Sequence, residues 1–345
     1  MQHATLVVMA AGMGSRYGGN KQVDGVGPHG EILMNYGVYD AVRAGFDKVV
    51  FVIKPEIREL IHRLAGDALE TLRTPDGRKV EFCYAEQTFD SVPDFYHIPE
   101  GRTKPFGTAH AVLCTRPYVH EPFCVINADD YYGVDAYRTM YEALRTLPER
   151  GKAVMVGYLL KNTVSKYGTV TRGVCHTADG CLTDIRETMK IQQFPDGSIA
   201  DMADGVRRDL DGDSVVSMNF WGFSPAIYED MERYFHDFLR RVGNDVKAEC
   251  LLPAMVGALM DKVFAKHHGQ GGKFRPWLLR SAPCVAITFI IFFTVPTYFK
   301  GVTMLVVLFF CKILYEGFYT MFNIPMGSML SAMADTDGER AALSS

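Results

Sequence analysis

The 345-residue sequence predicts an α/β domain with a mixed, mostly parallel sheet, followed by a transmembrane α-hairpin of two spans. Three observations predict it. Across residues 1–262 short apolar runs alternate with amphipathic stretches, the pattern of strands and helices packed in layers. The first apolar run leads straight into a glycine-rich loop, a junction typical of strand followed by ligand-binding turn. After about Lys266 charge nearly disappears, and aromatic and β-branched residues replace it.

The alternation places strands at Thr5 to Ala10, Lys48 to Ile53, Val80 to Tyr84, Phe123 to Asn127, Ala153 to Leu160, Gly168 to Arg172 and Val215 to Phe223. Helices fill the intervals at Tyr36 to Ala44, Glu56 to Leu72, Thr108 to Thr115, Ala136 to Leu147, Pro225 to Arg240 and Lys247 to Asp261. No internal repeat or low-complexity linker interrupts them. In the apolar tail, Ala282 to Phe299 carries no charge, and Val302 to Phe322 carries only Lys312 and Glu316. Runs of this length suit a bilayer core of roughly 30 Å; a buried soluble hairpin is the competing reading. Lys300-Gly301 makes the turn, Pro283 falls in the first turn of the first span, and Pro296 kinks or stops its far end. Lys312 and Glu316 stand four apart, where a mutual ion pair lowers the cost of charge in lipid.

A hydrophobic share of 48% is ample for a core, and a net charge of −4 gives no basic field, which argues against general nucleic-acid binding. The eight cysteines include no C-x-x-C pair and read as reduced, structural thiols. No cationic start with an apolar h-region opens the chain, so no signal peptide is expected and the α/β domain is placed in the cytoplasm.

The loop after the first strand reads Ala10-Ala11-Gly12-Met13-Gly14-Ser15-Arg16-Tyr17-Gly18-Gly19-Asn20-Lys21-Gln22. Glycines let backbone N–H groups approach anionic oxygens, and Arg16 and Lys21 add charge, so the loop suits phosphate. The spacing G-x-G-x-x-x-G excludes the dinucleotide fingerprint, and no G-K-S or G-K-T follows to make a P-loop. What remains, A-A-G-x-G-S-R…K-Q, resembles the signature of the sugar-1-phosphate nucleotidyltransferases. That resemblance implies a glycosyltransferase-A-like fold. It also implies that Ala11, Gly12, Gly14 and Ser15 wrap a nucleoside triphosphate while Arg16 and Lys21 brace the reacting phosphates.

Further motifs extend it. Asn127-Ala128-Asp129-Asp130 follows an apolar strand, at the end where α/β sheets place ligands, and a carboxylate there can hold Mg²⁺. The segment is similar to the family's strand-end G-D motif, which makes Asp129 the favoured metal ligand and Asp130 the reserve; an Asx turn or helix cap is the competing reading. A Gln amide can pair with a base through donor and acceptor, and a bare glycine can seat one. The resemblance therefore assigns base recognition to Gln87 and to the Gly107-Thr108 segment, itself also a plausible helix start; His110 is expected to pack in that helix rather than to catalyse.

Lys166-Tyr167-Gly168-Thr169-Val170 and Asp184-Ile185-Arg186-Glu187 look like the family's sugar-binding Y-G-x-[VI] and I-x-E segments, implying roles for Gly168 and Glu187. In the family a Lys-Pro often follows that Glu; here Thr188-Met189-Lys190 intervenes. Asn219, among aromatics in a strand, needs partners and reads as a contact to sugar or metal. Asp245 and Lys247 read as a helix cap and first turn, a second phosphate contact being the competing reading.

The tail resembles a second family. Gly272-Lys273-Phe274-Arg275-Pro276-Trp277-Leu278-Leu279, Tyr319 to Met329 and Glu339 to Ser345 are similar to segments of the glycoside-pentoside-hexuronide cation symporters, of the major facilitator fold. The resemblance covers Lys266 to Ser345, two of that family's twelve spans. Cations before the first span place both ends of the hairpin on the cytoplasmic side. Two spans cannot form alternating halves, so transport by this segment alone is not expected.

Together these readings predict transfer of a nucleoside monophosphate from a triphosphate to a sugar 1-phosphate, with Arg16, Lys21 and Asp129 catalytic and Mg²⁺ assisting. Two alternatives remain. One is a cytidylyltransferase of a non-sugar alcohol phosphate. The other is an inactive domain joined to a symporter fragment.

Overall fold

The computed structural model describes residues 3–12, 27, 30–178, 180–268 and 275–333, excepting the side chains of 67, 261–268, 275–282, 296–297, 317–318 and 320–333. The chain divides into two compact units, Met1–Leu259 and Met260–Ser345.

The first unit is built on strands β1 (Thr5–Met9), β2 (Lys48–Ile53), β3 (Glu81–Glu86), β4 (Phe123–Asn127), β5 (Val154–Leu159), β6 (Val170–Ala178), β7 (Cys181–Gln193), β8 (Ile199–Asp201), β9 (Arg208–Leu210) and β10 (Val215–Phe223). They form one sheet in the order β3-β2-β1-β4-β10-β6-β7-β8-β9, with β5 also pairing β10. Its helices are α1 (Leu33–Ala44), α2 (Arg58–Ile61), α3 (Asp67–Thr71), α4 (Thr108–Leu113), α5 (Val134–Arg145), α6 (Ile227–Val242) and α7 (Leu252–His268).

The sheet is mixed, but the expectation of a mostly parallel one is corrected. Only β1–β2, β1–β4 and β2–β3 pair in parallel. Every pairing from β4 onward is antiparallel. The two halves differ in burial. Leu6, Val7 and Val8, and Val49 through Ile53, are fully buried, as parallel strands covered on both faces must be. In β7 most side chains are exposed or half-buried, so its thirteen residues lack the apolar run that marks a core strand.

Helix amphipathicity fits these faces. In α1, Met34, Val38, Ala41 and Val42 are buried at helical spacing; in α5, Tyr137, Met140 and Leu144 are. Both sets join Leu6, Val8, Phe51, Cys124, Ile126 and Phe220 in one core. Alternation along β4 sends Phe123 to the other face, where it stacks on Tyr228 of α6 with ring centroids 5.2 Å apart. Among the described residues no disulfide joins the cysteines.

Three further expectations change. The helix expected over 56–72 is broken: a 3₁₀ turn at Pro55–Ile57 and a π turn at His62–Gly66 leave only α2 and α3 as α-helix. The glycine ending the π turn gives the backbone little help in holding regular geometry. The last helix of the domain starts at Leu252 rather than Lys247, and Asp245 makes a local turn, its Oδ1 accepting from Lys247 N at 2.8 Å.

The second unit carries a hairpin of α8 (Arg275–Tyr298) and α9 (Gly301–Met333), whose facing rings Phe289 and Tyr315 lie 6.2 Å apart. Both helices are longer than the apolar runs that announce them. Pro283 falls well inside α8 rather than in its first turn, and α8 continues past Pro296. Lys312 and Glu316 are exposed, one turn apart on α9. Among the described residues no helix is long and apolar enough to cross a membrane.

One side chain ties the two halves of the sheet together where they meet. Tyr132 Oη donates to the Met218 carbonyl of β10 and accepts from Asn127 N at the end of β4, both at 2.9 Å. Replacing Tyr132 with Phe orphans both backbone groups and should cost about 2 kcal/mol. Urea unfolding followed by fluorescence, with Trp221 of β10 as reporter, checks this; an unchanged midpoint contradicts it.

Candidate functional site

The site is built at the carboxyl ends of β1 and β4, which run side by side in register from Thr5↔Phe123 to Met9↔Asn127. Ala128 N donates to Met9 O at 3.3 Å, so the two chains leave the sheet together. Ala11 is buried just past β1 and Gly12 is exposed. Gly14, Ser15, Arg16 and Lys21 lie outside the described residues.

Just past β4, Asp129 is exposed and Asp130 half-buried. Asn127 Nδ2 donates to Asp130 Oδ2 at 2.8 Å and fixes that carboxylate. The segment is thus a turn and also presents two carboxylates. Among the described residues no group of three or more His, Cys, Asp or Glu could hold a metal. The oxygen donors at hand are these two carboxylates and an amide. Asp130 adds to the burial that pushes the Tyr132 and Tyr158 hydroxyls well up, so both phenols are neutral donors.

The amide belongs to Asn219. The register of β10 against β5 slips between Ser217 and Trp221, a bulge, and within it Asn219 takes a φ of 63°. Asn219 Oδ1 is buried with no hydrogen-bond partner. A non-glycine residue held left-handed with an unpaired buried acceptor is the kind of strain found at functional sites.

Beside it stands a residue the sequence reading missed. The pairing Ser217↔Gly173 brings Arg172 of β6 to the level of the bulge. Its Nη1 and Nη2 donate to the Thr171 and Thr163 carbonyls at 2.8 Å, and its Nε is buried without a partner. Burial pushes this guanidinium down, and the charge of Asp130 offsets part of that. The signal was present: Arg172 occupies the same phase as Val170 and Val174, which pack on a buried cluster.

The wall beyond β3 holds the base-recognition candidates. Gln87 is buried; its backbone N donates to Ile53 O at 2.8 Å. Its Nε2 donates to Gly107 O at 3.1 Å and approaches His110 Nδ1 at 3.3 Å. The donor side of the amide is therefore spoken for, and only Oε1 is left to accept. Gly107 has a φ of 90°, and a Cβ on it would lie 2.7 Å from Cys250 O. The missing side chain makes room for the Cys250 main chain, so that face of the glycine is filled by protein. Thr108 Oγ1 accepts from Leu252 N at 2.8 Å and caps α7. Arg102, also missed by sequence reading, locks the wall: Nη1 and Nη2 donate to the Asp245 and Ala248 carbonyls at 2.9 and 2.7 Å, and its guanidinium lies 3.8 Å from the Phe106 ring centre.

The sugar candidates are on the antiparallel half. Glu187 is exposed on β7 opposite Gly173, and Gly168 is exposed just before β6. Sheet order separates Glu187 from β4 by two intervening strands, about 14 Å at the usual spacing. The register slips again between Val170 and Arg172, and Lys190 takes a φ of 58°, its Nζ 3.4 Å from Ala203 O.

The nucleotidyl transferase family model matches residues 6–196, and the model of the MFS/sugar transport protein family matches residues 249–345. No curated protein matches the chain. Among solved structures the chain is similar to the inositol-1-phosphate CTP transferase from T. maritima, at 13% identity over 76% of this chain and 82% of that one, TM-score 0.46. It is similar also to UDP-glucose pyrophosphorylase complexed with UDP-glucose, at 17% identity over 75% and 87%, TM-score 0.44.

His110 sets a pH dependence for the base-side wall. It stacks on Phe235 with centroids 4.8 Å apart, accepts at Nδ1 from Gln87 and donates at Nε2 to Ser91 Oγ, 2.9 Å away. Burial, then the nearby Arg102 charge, lowers its pKa from 6.5 to about 4. Below pH 6.5 the unfolded chain binds a proton here that the native protein refuses, so stability falls as pH drops from 6.5 toward 4, by about 3 kcal/mol. Denaturant titrations of the wild type and His110→Gln across that window check this: the variant should show the shallower slope, and equal slopes contradict it.

Proposed function

The chain belongs to the nucleotidyl transferase family, whose model covers residues 6–196 and so more than half of it, and from that premise we propose a sugar-1-phosphate nucleotidyltransferase. A sugar 1-phosphate oxygen attacks the α-phosphorus of a nucleoside triphosphate, one P–O bond forms as another breaks, and pyrophosphate leaves. No protein nucleophile is needed. The observation that best supports this reading is the parallel register of β1 and β4, by which Ala11 and Gly12, the start of the glycine-rich sequence, leave the sheet next to the strand that leads to Asp129 and Asp130.

In this reading Arg16 and Lys21 stabilise the charge that develops on the transferring and leaving phosphates, and the loop from Ala11 to Ser15 supplies backbone N–H groups. Mg²⁺ fits the oxygen donors present; Asp129 and Asp130 would hold it, and it would supply neutralising charge between the phosphates. Gln87 Oε1 receives a donor from the base edge, while Gly107 and Thr108 shape the wall behind it. Glu187 accepts from sugar hydroxyls near the Gly168 backbone, and the unpaired Asn219 Oδ1 accepts another. The work is positioning and electrostatics.

We further infer that α8 and α9 insert in a lipid bilayer and tether this enzyme to the inner face of the membrane. What supports this is the match to a transport-protein family and the exposure of Ile290, Phe293, Leu305 and Phe309, each more than half exposed. The full-length protein should sediment with membranes through alkaline carbonate washing and enter solution with detergent; recovery in the carbonate supernatant contradicts this inference.

The enzymatic reading is tested by pyrophosphate release from each of four triphosphates against sugar phosphates and polyol phosphates. Turnover should require a sugar 1-phosphate, stop with EDTA, and fall about a hundredfold or more in Lys21→Ala with the circular dichroism unchanged. Near-normal rate in that variant refutes the loop assignment. A preference for polyol phosphates moves the assignment to a cytidylyltransferase-like enzyme.

A further inference from the structure

The base-side wall is made by residues that the chain brings together from either end of a long excursion. Gln87 follows β3, Gly107 precedes α4, and residues 88–106 between them carry, as regular structure, only the 3₁₀ turn Phe89–Ser91. A connection of that length holds its ends in register only where something pins it. Tyr96 Oη donates to Gly243 O at 3.0 Å, and Lys104 pairs with Glu249 at 3.0 Å, both in contact with solvent. Arg102 is the buried tie, 6% exposed.

Its guanidinium works as a fork across two chain segments. Nη1 donates to Asp245 O at 2.9 Å, while Nη2 donates to Ala248 O at 2.7 Å and to Pro105 O at 3.3 Å, with the Phe106 ring against the same group. Just beyond these contacts the two segments bond to each other: Cys250 N donates to Phe106 O at 2.7 Å, and Ala109 N donates to Cys250 O at 2.9 Å. Gly107, whose missing side chain admits Cys250, lies between those two bonds, and its carbonyl is the acceptor that holds the Gln87 amide. Burial pushes the pKa of this guanidinium down, so the charge is kept here at a cost. A planar fork of N–H donors can tie carbonyls on both segments at once and lie flat on an aromatic ring; an ammonium group can do neither.

We propose that Arg102 is a positioning residue for base recognition, acting through Gly107 and Gln87 without touching the nucleotide. The inference rests on the reading of Gln87 as a base contact. With the fork in place, Gly107 O takes a hydrogen from Gln87 Nε2, and the amide oxygen is what the base meets. Without it, residues 245–250 and the Gly107 carbonyl are no longer tied, the amide can turn, and its NH₂ can meet a base as readily as its oxygen. Affinity for the preferred nucleotide and discrimination against the others then fall together, while contacts made on other strands to phosphate and sugar keep their strength.

Isothermal titration of the full-length protein with Mg²⁺ and non-hydrolysable analogues of the four triphosphates tests it, in the wild type, Arg102→Lys, Arg102→Met, Gln87→Ala and the double variant of Arg102→Met with Gln87→Ala. Arg102→Met should weaken the best analogue about tenfold, the weight of one net hydrogen bond, and narrow its margin over the others, with Arg102→Lys in between. Once Gln87 is Ala, the Arg102→Met change should have no further effect. In turnover the KM for the triphosphate should rise, with kcat and the KM for the sugar phosphate within about twofold of the wild type. Folded Arg102 variants that bind and discriminate as the wild type overturn the proposal, as does an undiminished loss in the Gln87→Ala background, which marks a general loosening of the domain. If Arg102→Met fails to fold, Arg102→Lys with and without Gln87→Ala decides. A wild type that binds no analogue, or a Gln87→Ala variant that binds like the wild type, fails the base reading itself and the proposal with it.

Discussion

The parallel register of β1 with β4 is the constraint from which the site follows. With Met9 opposite Asn127, a glycine-rich loop and a pair of carboxylates leave the sheet from adjacent strand ends on the same edge. The strands beneath that edge are dry. Leu6, Val7, Val8, Val125 and Ile126 are buried between helices on both faces and allow little movement of the ends they carry.

The two sides of this edge are held by different means. On the base side, Gly107 accepts the Cys250 main chain where a side chain would be, Thr108 caps α7, and Arg102 ties the intervening carbonyls together. Residues that looked like ligand contacts thus also brace the wall, and Gln87 presents a single oxygen rather than a two-sided amide. On the other side the sheet turns antiparallel, and the bulge at Asn219 bends β10 just where it passes β4. The Tyr132 hydroxyl spans that junction, so the strained amide, Asp130 and Arg172 share one neighbourhood.

The strands at the centre of the sheet were legible because they are apolar runs: β2 and β4 of the parallel half, and the antiparallel β10 beside them, begin and end where the runs do. The strands β7, β8 and β9 were not, because a ribbon solvated on one face carries too few apolar residues to announce itself. Its hairpins were nevertheless written in Asp179-Gly180, Asp196-Gly197 and Asp204-Gly205, where the glycines take φ of 72°, 86° and 74°. The loop motif and the Asp pair were singled out by the apolar strands that precede them and by their resemblance to a family's motifs. Arg102 could not be, since its partners are main-chain carbonyls that no side-chain pattern reveals, and Arg172 was marked only by its phase with Val170 and Val174.

A crystal structure of the full-length protein with Mn²⁺ and non-hydrolysable analogues of the four triphosphates tests the account most directly. It predicts one analogue with its phosphates between the ends of β1 and β4, the anomalous Mn²⁺ peak at Asp129 and Asp130, and the base edge against Gln87 Oε1. A nucleotide bound elsewhere, or none bound while the protein turns over substrate, contradicts it.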